Sequence, residues 1–195
     1  MDVKLIAHTD KEEMLEFVGE VAGVSYGRTG NNRKRAMRCF NHGHDSIFEH
    51  VSFTWVIDNV SRACTHQLVR HRLASYLQKS QRYTKMKQEM INWFVVPQTI
   101  KDAGFELAFK LTLANNLDLY CDMLEKGVPA EDARYALPEA THSTIVVTMN
   151  LREFMNFYAL RSAPDAQWEI RELAEKMRDE AIKAMPDVEE VVCGC

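Results

Sequence analysis

One stretch with a two-residue hydrophobic alternation, HVSFTWVIDNV at positions 50–60, limits what this chain can fold into more than any other. Val51, Phe53, Trp55 and Ile57 fall on alternate positions, and the positions between them include polar residues. Since successive side chains of a strand point to opposite faces, this pattern predicts a β-strand with one buried side. The chain must therefore build a sheet whose inner face is covered by other elements.

Segments with helical periodicity supply most of the remaining chain, and strands are few. Helices are predicted after a capping box at Thr9–Glu12, over 33–41, over 62–72 with Ser61 as N-cap, over 101–125, within AEDARYALP, over 151–161, and over 165–185 with Asp165 as cap. The stretches NWFVVP and THSTIVVTMN are predicted strands, and LASYLQKSQRYTK is predicted to be a loop. This order favours an α/β (α+β) fold, a helix-rich single domain over residues 1–195 with a small central sheet.

Composition and charge exclude several classes of protein. The 195 residues carry a net charge of −4, which argues against a general nucleic-acid binder and for local recognition of anions. No signal-peptide pattern is found, and no apolar run approaches the roughly 18 residues of a membrane span. We therefore expect a cytoplasmic protein. The five cysteines are expected to be reduced thiols, with the terminal CGC an uninvolved tail.

The segment RHRLASYLQKSQRY at 70–83 gathers positive charge and hydrogen-bond donors with no carboxylate among them. Arginine is permanently charged and matches phosphate oxygens two at a time. If the preceding helix ends near Arg72, a loop can present Arg70, Arg72, Ser80 and Arg82 to one ligand. This pattern favours a site for a phosphate and a polar ring. A solvated basic helix end is the alternative, because cations also stabilise a helix C-terminus.

Four sequence blocks, in order along the chain, resemble those of the flavin-dependent thymidylate synthase family. The first signature is Arg70-His71-Arg72 followed after seven residues by Ser80, and Arg82-Tyr83 continues it. The other blocks are HGHDSIFEH upstream, ARYALP at 133–138, and FMNFYALR followed by AQWEIR. The resemblance spans nearly the whole chain, and the chain length matches that of the family.

The resemblance implies a reductive methylation of dUMP to dTMP. Methylenetetrahydrofolate would supply the one-carbon unit, and NADPH would supply a hydride through bound FAD. The family's enzymes are homotetramers with sites shared between subunits, and their fold is particular to the family. The Gly-x-Gly-x-x-Gly phosphate loop is absent from this sequence, consistent with a flavin held by arginines. No metal site is expected.

The resemblance also implies which residues contact each ligand. The dUMP contacts are expected at Gln67, Leu68, Val69, Arg70, Gln78, Lys79, Ser80, Gln81, Arg82, Arg134 and Arg161. The FAD contacts are expected at Ser52, Arg70, His71, Arg72, Gln78, Asn150, Leu151, Arg152 and Asn156, with His50 beside the flavin and folate region.

Arg161 is expected to be the catalytic residue. A cation directed at uracil N3 and the adjacent carbonyl would stabilise negative charge on the ring. The alternative is a structural ion pair with Asp165 or Glu169. Two positions depart from the family pattern: Gln78 replaces a common glutamate, and Asp165 replaces a histidine found in some members.

Three other interpretations have weaker support. Ser80 could be a nucleophile, but the segment holds no carboxylate to orient a histidine base, so a binding role is favoured. A metal-dependent hydrolase could use His42, His44 and His50 with Asp45 and Glu49, although the spacing matches no known ligand pattern. A nucleotide-binding or RNA-binding module without catalysis would use the basic loop alone.

Overall fold

The computed structural model describes residues 1–87 and 93–193, and the chain divides into two compact units. Unit 1 consists of Met1–Ile57, Gln67–Leu77 and the chain from Val146 onward. Unit 2 consists of Asp58–His66 and Gln78–Ile145. The prediction of a single domain over residues 1–195 stays a prediction.

Four strands form one antiparallel sheet in the order β1-β2-β4-β3. The strands are β1 (Asp2–His8), β2 (Ser52–Ser61), β3 (Ala74–Gln78) and β4 (His142–Asn150). Two side-chain hydrogen bonds mark the register of β2 against β4. The hydroxyls of Thr54 and Thr148 lie 2.9 Å apart, and Thr144 Oγ1 donates to Asp58 Oδ1 at 2.6 Å. A step of four residues forward on β2 thus corresponds to four residues back on β4, as antiparallel pairing requires.

The alternation that predicts β2 is confirmed by its burial. Phe53, Trp55 and Ile57 are fully buried, as is Val51 just before the strand. Trp55 packs against Phe154 with their ring centroids 5.0 Å apart. The apolar face of the strand is therefore a packed core surface.

Nine α-helices lie in the described part of the chain. They are α1 (Met14–Tyr26), α2 (Asn32–Asn41), α3 (Arg62–Leu68), α4 (Gln98–Asp102), α5 (Glu106–Glu125), α6 (Ala130–Ala133), α7 (Leu151–Arg161), α8 (Trp168–Ala184) and α9 (Glu189–Val192). Short 3-10 helices occupy Asp45–His50, Arg134–Ala136 and Pro186–Val188. The helix-rich composition with a small sheet confirms the predicted fold class.

Two predicted helix caps are wrong. Thr9 does not cap α1; its hydroxyl accepts a hydrogen bond from the backbone N–H of Ser52 at 2.9 Å. Asp165 does not cap α8, because the side chain of Gln167 accepts from the N–H groups of Glu169 and Ile170. At the start of α1, the carboxylate of Asp187 accepts from the backbone N–H of Leu15 at 2.7 Å. Both helices therefore have an acceptor other than the predicted cap for N–H groups of the first turn.

Several predicted boundaries are also wrong. The predicted loop at 73–85 contains β3, and the helix predicted to run to residue 72 ends at Leu68. The helix predicted over 101–125 is interrupted by Gly104, which adopts a positive φ of 76° between α4 and α5. The described part of NWFVVP forms only an isolated bridge from Phe94 to Thr141, and Asn92 lies outside the described residues.

The cysteines in the described chain are free thiols. Cys39, Cys64 and Cys121 are buried, and Cys193 is exposed. The last two residues of the terminal CGC, at 194–195, lie outside the described residues. The predicted role of that tail therefore stays a prediction.

Each unit has its own apolar core. In unit 1, the buried residues of α7 and α8 include Phe154, Phe157, Leu173 and Met177. In unit 2, α5 contributes most of the core, which is a cluster consisting of Met86, Phe94, Leu113, Leu117, Tyr120, Cys121 and Ala133. Within the residues that the structure describes, no helix is both long and apolar enough to cross a bilayer.

The contact of α1 with α2 in unit 1 depends on Gly19. A Cβ atom added at Gly19 would overlap the carbonyl oxygen of Asn32, well inside van der Waals contact. Only glycine allows the two backbones to approach this closely.

We predict that Gly19→Ala lowers the free energy of unfolding by about 2 kcal/mol, because overpacking outweighs the gain in helix propensity. Urea denaturation would measure the difference. Ser25→Ala, at an exposed position of the same helix, is the control and should change stability by no more than about 0.5 kcal/mol. Equal stability of Gly19→Ala and the native chain would contradict this packing.

Candidate active site

The basic segment begins as a turn that is held at its base by Tyr76. Because α3 ends at Leu68, Arg70 and Arg72 lie in the turn before β3, and both are exposed. The Tyr76 hydroxyl lies 2.9 Å from the carbonyl oxygen of Leu68 and 2.7 Å from that of His71, and these two acceptors share its single proton. Burial raises the pKa of Tyr76 above its ordinary value, so the hydroxyl keeps the proton that it donates.

His71 is the buried member of this turn. Its side chain is 5% exposed, and its ring meets Phe157 edge to face with centroids 5.0 Å apart. Both ring nitrogens have polar partners on α7: Nδ1 lies 3.1 Å from Glu153 Oε1, and Nε2 lies 3.0 Å from Arg161 Nε. Three residues of unit 1 therefore form one chain of hydrogen bonds, which we call the Glu153–His71–Arg161 relay.

The chemistry of arginine decides the tautomer of His71. A guanidinium only donates, so Nε2 must accept from Arg161, and the proton lies on Nδ1 and is donated to Glu153. Burial lowers the pKa of His71 below its ordinary value; the bond to Glu153 raises it, and the charge of Arg161 lowers it again. The ring is therefore neutral in this arrangement.

Arg161 is the last residue of α7 and is partly exposed. Its Nε is held by His71. Among residues 1–87 and 93–193, no carboxylate lies within 4.0 Å of its guanidinium, so the structure contains neither the alternative ion pair with Asp165 nor that with Glu169. The two terminal nitrogens are thus available for a ligand.

A cavity of about 660 Å³ lies beside this relay in unit 1. Its lining includes three of the predicted flavin contacts, Asn150, Arg152 and Asn156, together with Glu49 and Glu153. Arg152 forms an ion pair with Glu49. The side chain of Asn150 caps α7 by accepting from the N–H of Glu153 at 2.9 Å. The volume is in the range of pockets for cofactors and small ligands, about 300–1,000 Å³.

The other predicted contacts in unit 1 differ in accessibility. The side chains of Leu68 and Leu151 are fully buried, so only their backbone atoms could meet a ligand. Ser52 and Val69 are exposed, and Gln67 is partly buried. His50 is exposed at the end of its 3-10 helix.

In unit 2, Gln78 is fixed by two hydroxyls. Its Nε2 donates to Thr65 Oγ1 at 2.9 Å and to Ser143 Oγ at 3.0 Å. Thr65 and Ser143 are both buried. The amide at this position therefore has a defined structural role in the described chain.

The predicted dUMP contacts after Gln78 are partly gathered in unit 2. Lys79, Ser80 and Gln81 line one small cavity of about 20 Å³ with Trp93. The Lys79 ammonium lies 4.5 Å from the centroid of the Trp93 ring, a cation–π distance. Ser80 Oγ accepts from the N–H of Arg82 at 3.2 Å. These contacts agree with a binding role for Ser80, since both ring nitrogens of the nearest histidine in sequence, His71, are engaged elsewhere.

Two of the predicted dUMP contacts in unit 2, Arg82 and Arg134, contact Glu131. Arg82 forms an ion pair with its carboxylate at 2.7 Å, and Arg134 Nε donates to its backbone carbonyl at 3.0 Å. Burial lowers the pKa of Arg62 from its ordinary value; Glu139 raises it, and Arg134 lowers it further. Arg62 is a cation beside Arg134 that the sequence prediction omitted.

The proposed metal cluster has no support in the described residues, where no group of three or more His, Cys, Asp or Glu could hold a metal ion. His42 and His44 instead line a cavity of about 420 Å³ with Arg28, Arg35 and Arg38. Three guanidinium groups repel a metal cation, and such a lining is suited to an anion.

Besides Arg62, the sequence prediction omitted two residues of unit 1. Glu153 and Tyr76 hold the relay and the turn, yet neither was among the predicted contacts. Glu153 could have been found as a lone carboxylate on the apolar side of α7, one position before Phe154 and four before Phe157. A buried carboxylate requires a polar partner, and the basic segment supplies a histidine.

Together, the relay, the adjoining cavity and the exposed arginines have the character of an enzyme site for an anionic ligand. Comparison with known proteins identifies the family to which this enzyme site belongs. A family model described as "Thymidylate synthase complementing protein" matches residues 4–187. The flavin-dependent thymidylate synthase of Pyrococcus horikoshii is 50% identical over 194 residues, which cover 93% of this chain and 79% of that protein. The Pyrococcus furiosus enzyme is 45% identical over 174 residues, covering 87% and 71%.

A solved structure shares the fold. The crystal structure of the Helicobacter pylori flavin-dependent thymidylate synthase, complexed with FAD and dUMP, aligns with a TM-score of 0.80. The alignment covers 100% of this chain and 99% of that one at 22% sequence identity. The chain belongs to the flavin-dependent thymidylate synthase family, which confirms the predicted family.

The contacts of Gln78 predict how the family's common glutamate would behave here. We expect Gln78→Glu to lower the free energy of unfolding by about 1 kcal/mol. The Ser143 hydroxyl can turn and donate to the carboxylate, whereas the Thr65 hydroxyl already donates to the carbonyl oxygen of Arg62 at 3.0 Å. Gln78→Leu should lose about 2 kcal/mol, since two buried hydroxyls lose a partner. Urea denaturation of both variants would test this, and a larger loss for Gln78→Glu would contradict it.

Proposed function

We propose that this chain is a flavin-dependent thymidylate synthase in which Arg161, anchored through Nε by His71, stabilises charge on the uracil of dUMP. The reaction is the reductive methylation of dUMP to dTMP, with methylenetetrahydrofolate as one-carbon donor and NADPH as reductant. The observation that carries the proposal is the arrangement of Arg161, with Nε bound to His71 and both terminal nitrogens without a partner among the described residues.

The donor set of unit 1 fits an FAD. The 660 Å³ cavity offers the amides of Asn150 and Asn156 and the guanidinium of Arg152 as polar partners. Arg70 and Arg72 are exposed and have no ion-pair partner in the part of the chain that the structure describes. Cationic and amide donors of this kind suit the phosphates and the carbonyl-rich ring of a flavin. FAD, when bound, supplies hydride-transfer chemistry that no side chain can provide.

The protein's contribution to the reaction is electrostatic. Uracil carbon 5 becomes nucleophilic, and carbon 6 open to reduction, when negative charge on the ring is stabilised. A preorganised guanidinium at N3 and the adjacent carbonyl provides this stabilisation without reorganisation during the reaction. Arg161 is permanently charged and its Nε is already held, so its terminal N–H groups can donate to the ring.

The basic segment is proposed to hold the nucleotide. Each unit has predicted dUMP contacts that are cations suited to a phosphate, Arg70 in unit 1 and Arg82 and Arg134 in unit 2. Lys79 and Ser80 add an ammonium and a hydroxyl. The resemblance to the family also supports two further parts of the proposal. One is a homotetramer whose sites are shared between subunits, and the other is a cytoplasmic location.

Omission of single components would test the overall reaction. NADPH, methylenetetrahydrofolate and dUMP together should yield dTMP only when FAD is present. Purified protein should also absorb at about 450 nm, as flavins do. A nucleotide-binding module without catalysis would show neither result.

For Arg161→Ala, we predict a fall in kcat/KM of at least about 100-fold, the scale for removing a preorganised charge at a transition state. FAD should stay bound, because Arg161 is not among the predicted flavin contacts, and absorbance would report this. Stopped-flow reoxidation of the reduced flavin by dUMP and folate would measure the defect. Turnover within a few fold of the native enzyme would exclude the catalytic role.

For Arg70→Ala, we predict dissociation constants for FAD or dUMP that rise by about 10-fold or more, since charge-assisted hydrogen bonds contribute about 1.5–3 kcal/mol. Titration calorimetry would measure both ligands. Lys34→Ala removes an exposed positive charge from α2 and serves as the control. Unchanged affinity for both ligands would refute the assignment of Arg70.

A further inference from the structure

Glu153 is a buried carboxylate that the proposed mechanism does not use. Its side chain is 6% exposed on α7, among Leu151, Phe154 and Phe157. Placing a carboxylate in such surroundings is costly unless it is hydrogen-bonded. Two groups contact it: His71 Nδ1 at 3.1 Å from Oε1, and Asn156 Nδ2 at 3.4 Å from Oε2.

We propose that Glu153 is a positioning residue that orients the guanidinium of Arg161 through the imidazole of His71. The inference rests on the proposed function, because it assigns to Glu153 a role in the same site. Glu153 does not act on the substrate; it fixes the residue that holds Arg161.

The orientation of the His71 ring is restrained by its neighbours. The hydrogen bond that Nδ1–H of His71 donates to Glu153 fixes both the rotation and the tautomer of the ring. Phe157 packs edge to face against the ring at an interplanar angle of 79°, which leaves it little freedom to turn. The Tyr76 hydroxyl holds the backbone carbonyl of the same residue at 2.7 Å. His71 is thus restrained at its backbone, its face and one nitrogen.

The orientation of the ring also sets the direction of the lone pair on Nε2 of His71. With the proton on Nδ1, the lone pair of Nε2 faces Arg161 Nε, 3.0 Å away. This bond fixes the plane of the guanidinium by one edge and leaves the other two nitrogens free. In the other tautomer, an Nε2–H group would face the Nε–H group of Arg161, and the two would repel each other. The tautomer of His71 therefore decides where Arg161 points.

Glutamate at position 153 selects this tautomer of His71, whereas glutamine would not. A carboxylate only accepts, so it requires the proton on Nδ1. An amide can accept from Nδ1–H or donate to Nδ1, so it permits both tautomers.

The charged groups facing His71 are Glu153 and Arg161 on α7, and the titratable Tyr76 on β3 also interacts with Glu153.

The test is Glu153→Gln in the full-length, flavin-loaded enzyme. Nitrogen-15 NMR of the histidine rings should find His71 in the Nδ1–H form in the native protein and in mixed forms in the variant. We expect kcat for flavin reoxidation to fall about 10- to 100-fold, the scale for misplacing a catalytic group by about 1 Å. The dissociation constant of FAD should change by less than about threefold, because its predicted contacts are retained.

Glu175→Gln is the matched control. It makes the same chemical change in unit 1, at a carboxylate that accepts from the Tyr158 hydroxyl at 3.2 Å and does not contact His71. We expect it to keep the native kcat and the native signals of His71. A second variant, Glu153→Asp, keeps the charge and a group that only accepts, and it should retain more activity than Glu153→Gln.

Three results would overturn the proposal. The first is an Nε2–H tautomer of His71 in the native protein, a measurement that needs no variant to fold. The second is a Glu153→Gln enzyme with native kcat. The third is loss of thermal stability in Glu153→Gln with native turnover per folded molecule, which would assign a structural role only. Failure of the native protein to form dTMP would instead refute the proposed function, so the two failures are distinguishable.

Discussion

The hydrogen bond between His71 and Glu153 is the interaction on which the arrangement of the candidate site depends. It joins the turn after α3 to α7, two segments far apart in the sequence, through two side chains that are each about 5% exposed. A buried polar group that is left without a hydrogen bond is costly, so loss of this pair would lower the stability of the fold. The position of Arg161 follows from it, because the same imidazole holds Nε of that residue.

The basic residues of the segment at 70–83 differ in burial and in ion pairing. His71 is buried and neutral, and Arg82 is paired with Glu131. Arg70 and Arg72 stay exposed at the end of a short helix, where cations are favourable. A net acidic chain can therefore keep a small cationic surface, because only part of the charge apparent in the sequence faces a ligand. The repulsion expected from so many adjacent cations is reduced by this division.

The sequence predicts correctly those helices and strands whose burial on one face is visible in the spacing of their apolar residues. The alternation of β2 and the helix over 151–161 agree with the structure, because burial on one face is written into their spacing. β3 was missed because five residues are too few for a clear period, and its partner β4 lies far away in sequence. Glu153 was missed for a similar reason: its partner, His71, is 82 residues away, and no local signal pairs them. The cap at Thr9 failed because a distant carboxylate, that of Asp187, accepts from the first turn of α1. The cap at Asp165 failed because Gln167, two residues further along, lies closer to the start of α8 and accepts in its place.

The close approach of α1 to α2 at Gly19 has a consequence for how the two helices can respond to a ligand. Backbones in direct contact have no side-chain layer that could slide or repack between them. The helix pair therefore behaves as one stiff element, and Arg35 reinforces it by donating to the carbonyl oxygens of Gly19 and Gly30 at 2.8 Å and 2.7 Å. The guanidinium groups of Arg35 and Arg38 on α2 are therefore held at fixed positions relative to α1, and the cavity that they line cannot widen by sliding of the two helices.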